Sequence, residues 1–136
     1  MSKRISCFAV VLALFMVVCN VCYAITPRAS EIIAGKQIDS AAVGGGRVEF
    51  TARIYAYGIM DKLGCDLIRI EEYYENSWHT VKTVYSRYGY EVGSYSYTTG
   101  YDGVAGRDYR AYVEFYAKDG SIIDTKTLST SGITAR

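Results

Sequence analysis

Histidine is almost absent from this chain of 136 residues, with His79 the only one. That scarcity argues against structural zinc, which takes four close nitrogen or sulfur ligands. Cysteine is scarce where it matters: of four, Cys7, Cys19 and Cys22 fall in the first 24 residues and Cys65 stands alone beyond them. A chain without that leader has no second thiol for an internal disulfide. Charge of one sign is missing too. The 15 basic and 14 acidic residues become 13 and 14 once Lys3 and Arg4 are set aside, a net charge of −1 with His79 neutral. Such a balance exerts no pull on nucleic acid or an anionic membrane. No glycosylation sequon occurs, since Asn76-Ser77-Trp78 misses the pattern. No Asp-x-Asp-x-Asp calcium loop is present, and no stretch after the leader has a helical period.

What is present begins with a leader. Lys3 and Arg4 precede an apolar run over residues 8–18, and Cys22-Tyr23-Ala24 ends in the small residue that signal peptidase requires. Residues 1–24 are therefore expected to be a signal peptide, and the protein to be secreted or held at the cell surface. An uncleaved anchor is the alternative, because residues 5–24 reach the ~20 apolar positions of a membrane helix. Only then would a membrane be a partner. Val18 and Val21 stand where a lipid-attachment cysteine wants a small neighbour, so Cys19 and Cys22 are not expected to carry lipid. The 112 residues left from 136 are ordinary single-domain size.

Period-two alternation dominates that remainder. Val48, Phe50, Ala52, Ile54 and Ala56 share one face of a strand, with Glu49, Thr51, Arg53, Tyr55 and Tyr57 on the other. Tyr109, Ala111, Val113, Phe115 and Ala117 alternate likewise with Arg110, Tyr112, Glu114, Tyr116 and Lys118. Two such strands far apart in sequence predict facing sheets. Residues 65–74 and 78–87 flank Glu75-Asn76 as a hairpin. If Tyr74 opposes Ser77, then Tyr73 faces Trp78, Ile70 faces Val81, Arg69 faces Lys82 and Ile68 faces Thr83. Residues 31–39 read as a short edge strand, Gly44-Gly45-Gly46 as a turn, and residues 58–64 as a connection with one helical turn whose Met60 or Leu63 plugs the core. The Tyr/Ser/Gly tract 85–101 reads as short edge strands and loops, open to self-association by edge pairing. A last strand lies within 122–130.

The expectation is an all-β fold, an antiparallel sandwich of about seven to eight strands without an internal disulfide. Residues 25–46 would form an N-terminal segment and 47–136 the sandwich. A small closed barrel is the alternative. Residues 102–111 place a Gly-rich turn before inward Tyr109 and small Ala111, the layout of a tyrosine corner. This resembles immunoglobulin-like and fibronectin-type sandwiches that lack the inter-sheet disulfide. The chain further resembles small exported proteins of clostridia and related Firmicutes that carry an uncharacterised domain. That likeness spans roughly residues 27–118 and rests on Pro27-Arg28-Ala29-Ser30, on residues 58–64, on Trp78 with Val81 and Thr83, and on residues 109–117. It implies a sandwich and an exported Gram-positive protein, and brings no function or catalytic residues.

Chemistry-bearing groups are sparse, so no catalytic residues, no metal and no cofactor are expected. In the hairpin register Cys65 and His79 stand seven strand positions, roughly 24 Å, apart, too far for a dyad. His79 opposes Glu72, which would favour the imidazolium if the two met. Asp102, Asp108, Asp119 and Asp124 lie in or beside turns, where aspartate is usually a turn former. The surplus is aromatic. Tyr73, Trp78, Tyr112 and Tyr116 are expected to form one outward face if their strands share a sheet. Such a face suits a protein or cell-envelope partner, or a polysaccharide on which rings stack. Plain cross-strand packing, worth ~0.2–1 kcal/mol per pair, accounts for the same residues without a ligand. The expected function is a non-catalytic surface or extracellular binding module. A carbohydrate- or wall-binding module is the alternative, and a secreted toxin or antimicrobial the weaker third.

Overall fold

Alternation of apolar and polar side chains builds both layers. In the computed structural model, which describes residues 31–136, eight strands follow one another: β1 (Ile33–Gly44), β2 (Arg47–Met60), β3 (Lys62–Tyr74), β4 (Ser77–Gly89), β5 (Val92–Asp102), β6 (Asp108–Asp119), β7 (Ile122–Ser129) and β8 (Ile133–Thr134). The expected signal peptide, residues 1–24, lies outside the described residues. One sheet has the order β1-β2-β5 and the other β4-β3-β6-β7, with β8 extending β7's place beside β6. All pairings are antiparallel. The chain makes β1 and β2 in the first sheet, crosses for β3 and β4, returns for β5 and crosses again for β6 and β7. This is an immunoglobulin-like sandwich.

Across the interior Ile54 of β2 packs with Val113, Phe115 and Ala117 of β6, and Val48 and Phe50 pack with Tyr109 and Ala111, all buried. Each Val, Ile or Phe among them contributes about 1.5–3 kcal/mol by leaving water. Met60 and Leu63 are buried and close one end, as the sequence suggested. The connection between them is not a helical turn, however. β2 runs through Met60, a single residue, Asp61, reverses the chain, and β3 starts at Lys62.

The tract 85–101 is also more regular than its composition suggested. β4 continues to Gly89, Tyr90-Glu91 turns, and β5 is continuous over 11 residues. Its alternation puts Tyr95, Tyr97 and Tyr101 against the core and Ser94, Ser96 and Thr98 outward. Tyr109 is thus not the sole inward tyrosine. Phenols fill β5 where aliphatics fill β2, which is why composition alone read as loop. β1 is longer than expected, 12 residues paired with β2 along its length.

The β3–β4 hairpin starts in the expected register and then slips. Tyr73 pairs with Trp78 and Glu72 with His79, but Ile70 pairs with Lys82, Arg69 with Thr83 and Ile68 with Val84. Val81 is the extra residue of a β-bulge, a device that hydrophobic pattern alone does not locate. The slip turns Lys82 toward the other sheet, where its ammonium donates to the Gly100 carbonyl at 2.7 Å. Arg87 reaches the same strand, 5.2 Å from the Tyr97 ring centroid. β5 pairs only with β2, so these two cations cover a free edge that carries no charge from Val92 to Tyr101. The double variant Lys82→Met/Arg87→Met is expected to associate at concentrations where wild type does not, measured by sedimentation velocity. Unchanged association would show that the edge needs no guard.

Glu75 and Asn76 both adopt left-handed backbone, with φ 50° and 61°. Two positive φ values make the two-residue turn that favours Asn-Gly, and a side chain such as Glu is strained there. Replacing Glu75-Asn76 by Asn-Gly is expected to raise unfolding stability by about 1 kcal/mol in urea titration.

Candidate functional site

The outward face of β3 reads Lys62, Gly64, Leu67, Arg69, Glu71 and Tyr73, and that of β6 Arg110, Tyr112, Glu114, Tyr116 and Lys118. Side by side, these rows interleave rings with charges. Tyr73 meets Trp78 with centroids 5.1 Å apart. The Arg110 guanidinium lies 4.3 Å above the Trp78 ring and binds Glu71 through Nε at 2.6 Å. Glu71, nearly buried, also holds Arg69 at 3.3 Å, and Arg69 stacks 4.7 Å over Tyr112. The Tyr112 hydroxyl donates to Glu114 at 3.1 Å. Farther along, Lys62 sits 3.9 Å from the Tyr88 ring and 5.1 Å from Tyr116, which meet edge to face. Trp78 itself is half-buried, and a side chain at Gly132 would touch its ring.

The four sequence-predicted residues, Tyr73, Trp78, Tyr112 and Tyr116, therefore share one outward face on three adjacent strands. They do not form bare rings in a row. Cations cover Trp78, Tyr112 and Tyr116, each such contact worth ~0.5–1 kcal/mol at exposed positions. Sequence reasoning missed Arg69, Glu71, Arg110, Lys62 and Tyr88 as members. Their signal was present: Arg-x-Glu-x-Tyr in β3 and Arg-x-Tyr-x-Glu-x-Tyr in β6 both alternate on the outward side. Tyr85, paired with Leu67, projects from the middle of the face and is 66% exposed.

Strain marks the upper part of the face. Asp66 is unpaired between Cys65↔Phe115 and Leu67↔Glu114, and across from it Ser86 has φ 54°. The Tyr88 hydroxyl donates to Asp66. Burial first, and this bond second, push the Tyr88 pKa up to about 12.

Other candidates are placed apart. Cys65 pairs with Arg87 and His79 with Glu72, seven positions along β3, so thiol and imidazole do not meet. His79 is stacked on Tyr74 at 3.8 Å and lies 2.8 Å from the Ser77 hydroxyl, while Glu72 turns inward to Tyr109 and Arg107. The four turn-region aspartates divide between the two ends of the sandwich. Asp102 pairs with Arg47 and Asp108 accepts from Thr134 at one end, while Asp119 lies at the β6–β7 turn of the other, toward which Asp124 accepts from the Ile32 and Ile33 amides. Among the described residues no group of three or more His, Cys, Asp or Glu could hold a metal ion.

Cys65 is buried beneath the face. Burial, with Asp66 adding to it, pushes its thiol up to about 12 from an ordinary value of 9.0. Because the folded pKa is raised, the unfolded chain releases its proton first, and stability present below pH 9 falls as pH rises toward 12. The loss from this group is on the order of 4 kcal/mol. Denaturant titrations from pH 8 to 11 are expected to show it, with a shallower fall in Cys65→Ala, and a thiol reagent is expected to react with unfolded but not native protein.

In comparisons with known proteins, the chain matches no family model, no curated protein and no solved structure.

Proposed function

We propose that this chain is an exported, non-catalytic binding module whose outward β4-β3-β6 face docks a protein or another component of the cell envelope. The observation that carries this reading is the interleaved row of Trp78, Arg110, Glu71, Arg69 and Tyr112. Its side chains are fixed on strands by ion pairs and stacking, so little entropy is lost when a partner covers them. Aromatic and Arg side chains are the types that anchor protein interfaces. A sugar ring needs an open aromatic face, and three rings here already carry a cation, which favours a protein surface over a polysaccharide.

The test is capture of envelope proteins from the producing cells by immobilised residues 25–136. Tyr85→Ser/Tyr73→Ser removes exposed rings with little demand on the core, and is expected to lower specific capture at least tenfold while the melting temperature holds. Capture unchanged in that variant refutes this face as the docking surface. Saturable co-sedimentation with purified wall polysaccharide, lost in the same variant, would move the assignment to a carbohydrate module.

A further inference from the structure

One end of the sandwich is apolar on its outside, and it is the end where the chain enters the fold. Tyr57 is 75% exposed, Tyr90 65%, Ile59 64%, Ile123 54% and Ile122 39%. They surround the Asp61 turn, the Tyr90-Glu91 turn and the β6–β7 turn, whose Gly120 amide donates to Asp61 at 2.7 Å. The opposite end exposes fewer large apolar side chains among the described residues: Val43, Val104 and Tyr73. The Ile32 carbonyl accepts from the Tyr57 amide at 3.1 Å, so the N-terminal connection arrives beside this patch. The apolar run of residues 8–18 lies a short way upstream, and residues 19–30 can span at most about 40 Å.

We propose that this end of the sandwich lies against the bilayer that the apolar leader enters, so that the domain sits on the membrane surface while the leader is attached. A bilayer is the occupant because the leader's apolar run already has to leave water for lipid, and its short connection delivers these side chains to the same surface. Tyrosine and isoleucine fit that boundary: the rings span the polar and apolar zones and the aliphatic chains enter the acyl region. Glu31, Asp61, Glu91 and Asp119 surround the patch together with Lys62 and Lys118. The contact is therefore apolar rather than electrostatic, and phosphatidylcholine suffices. The proposal rests on residues 1–24 as a leader and is separate from the sheet face that docks the partner.

The test uses the full chain reconstituted in phosphatidylcholine vesicles with brominated acyl chains, which quench nearby tryptophan. Trp78 serves as an internal reference, because its partner Tyr73 lies eleven β3 positions from Lys62, roughly 36 Å from the proposed contact. Wild type is expected to float with the vesicles and to keep its emission. Tyr57→Trp is expected to show at least a twofold quenching of the added emission, insensitive to salt and reduced by Ile59→Ser/Ile123→Ser. A floating Tyr57→Trp chain whose added emission is unquenched overturns the contact, leaves the leader as a tether and returns the patch to a protein partner. A chain that does not float overturns both contact and tether.

Discussion

Gly64→Ala is expected to destabilise this domain more than any other conservative exchange on the outward face, by more than ~3 kcal/mol. A β-carbon at Gly64 would stand 2.0 Å from the Arg87 carbonyl oxygen and 2.7 Å from the Tyr88 α-carbon. Both are backbone atoms of the partner strand, so no rotamer change relieves the overlap. β3 and β4 must separate where Gly64 pairs with Tyr88, and the Lys62–Tyr88–Tyr116 cluster separates with them. Gly58→Ala is the control, since its β-carbon would meet only the Met60 methyl at 3.8 Å. Thermal melts followed by circular dichroism should show a collapse for Gly64→Ala and a shift within about 3 °C for Gly58→Ala. Equal behaviour of the two would contradict the close approach.

Tyr109→Phe is expected to cost about 2–4 kcal/mol, because one hydroxyl serves two partners, one of them a buried carboxylate. It accepts from the Val104 amide at 2.8 Å and donates to the Glu72 carboxylate, itself buried and reached by Arg107 at 3.2 Å. Phenylalanine fills the same space but strands an amide and weakens the shell of a buried charge. The midpoint of melting should fall by about 10–20 °C. Tyr109→Phe/Glu72→Met should cost at least about 1 kcal/mol less than the two single changes summed, since removing both partners avoids a stranded carboxylate. Strict additivity would contradict a shared network. Burial first, then the bond to Glu72, raises the Tyr109 pKa. The tyrosine therefore adds to the alkaline loss of stability above pH 10, in the same direction as Cys65.

This network shows how far the sequence reaches. A Gly-rich turn before Tyr109 and small Ala111 marked the corner, and the phenol does bond back to the preceding loop. Its second partner, Glu72, was not legible, because an acidic residue on a strand reads as solvated until the inward face of β3 is known. Strands β2 and β6 were visible because aliphatic and polar residues alternate without interruption. β5 was obscured because tyrosine occupies its inward positions and serine its outward ones, so the hydrophobic contrast was weak. The Val81 bulge was invisible for a different reason: one extra residue leaves local composition unchanged while reversing every later pair.

The outward face was half legible. Alternation alone placed Tyr73, Trp78, Tyr112 and Tyr116 on one side, given three adjacent strands. What alternation does not report is which cation covers which ring, since that depends on cross-strand neighbours. Glu71 illustrates the point. It draws Arg69 and Arg110 together from two strands, and each guanidinium then lies over a ring. The result is a stiff, ring-and-cation surface rather than a row of open rings, and this is what turns the proposal from sugars toward a protein or envelope partner.

Hydroxyl-radical footprinting tests that claim most directly, because tyrosine and tryptophan are good reporters and both sheets carry them. Oxidation would be compared for residues 25–136 free and mixed with an envelope extract of the producing cells. Docking on the proposed face predicts protection of Tyr73, Tyr85 and Tyr112, with Tyr55 and Tyr57 of the opposite sheet unchanged. Protection confined to Tyr55 and Tyr57, with Tyr73, Tyr85 and Tyr112 oxidised as in the free protein, would contradict it.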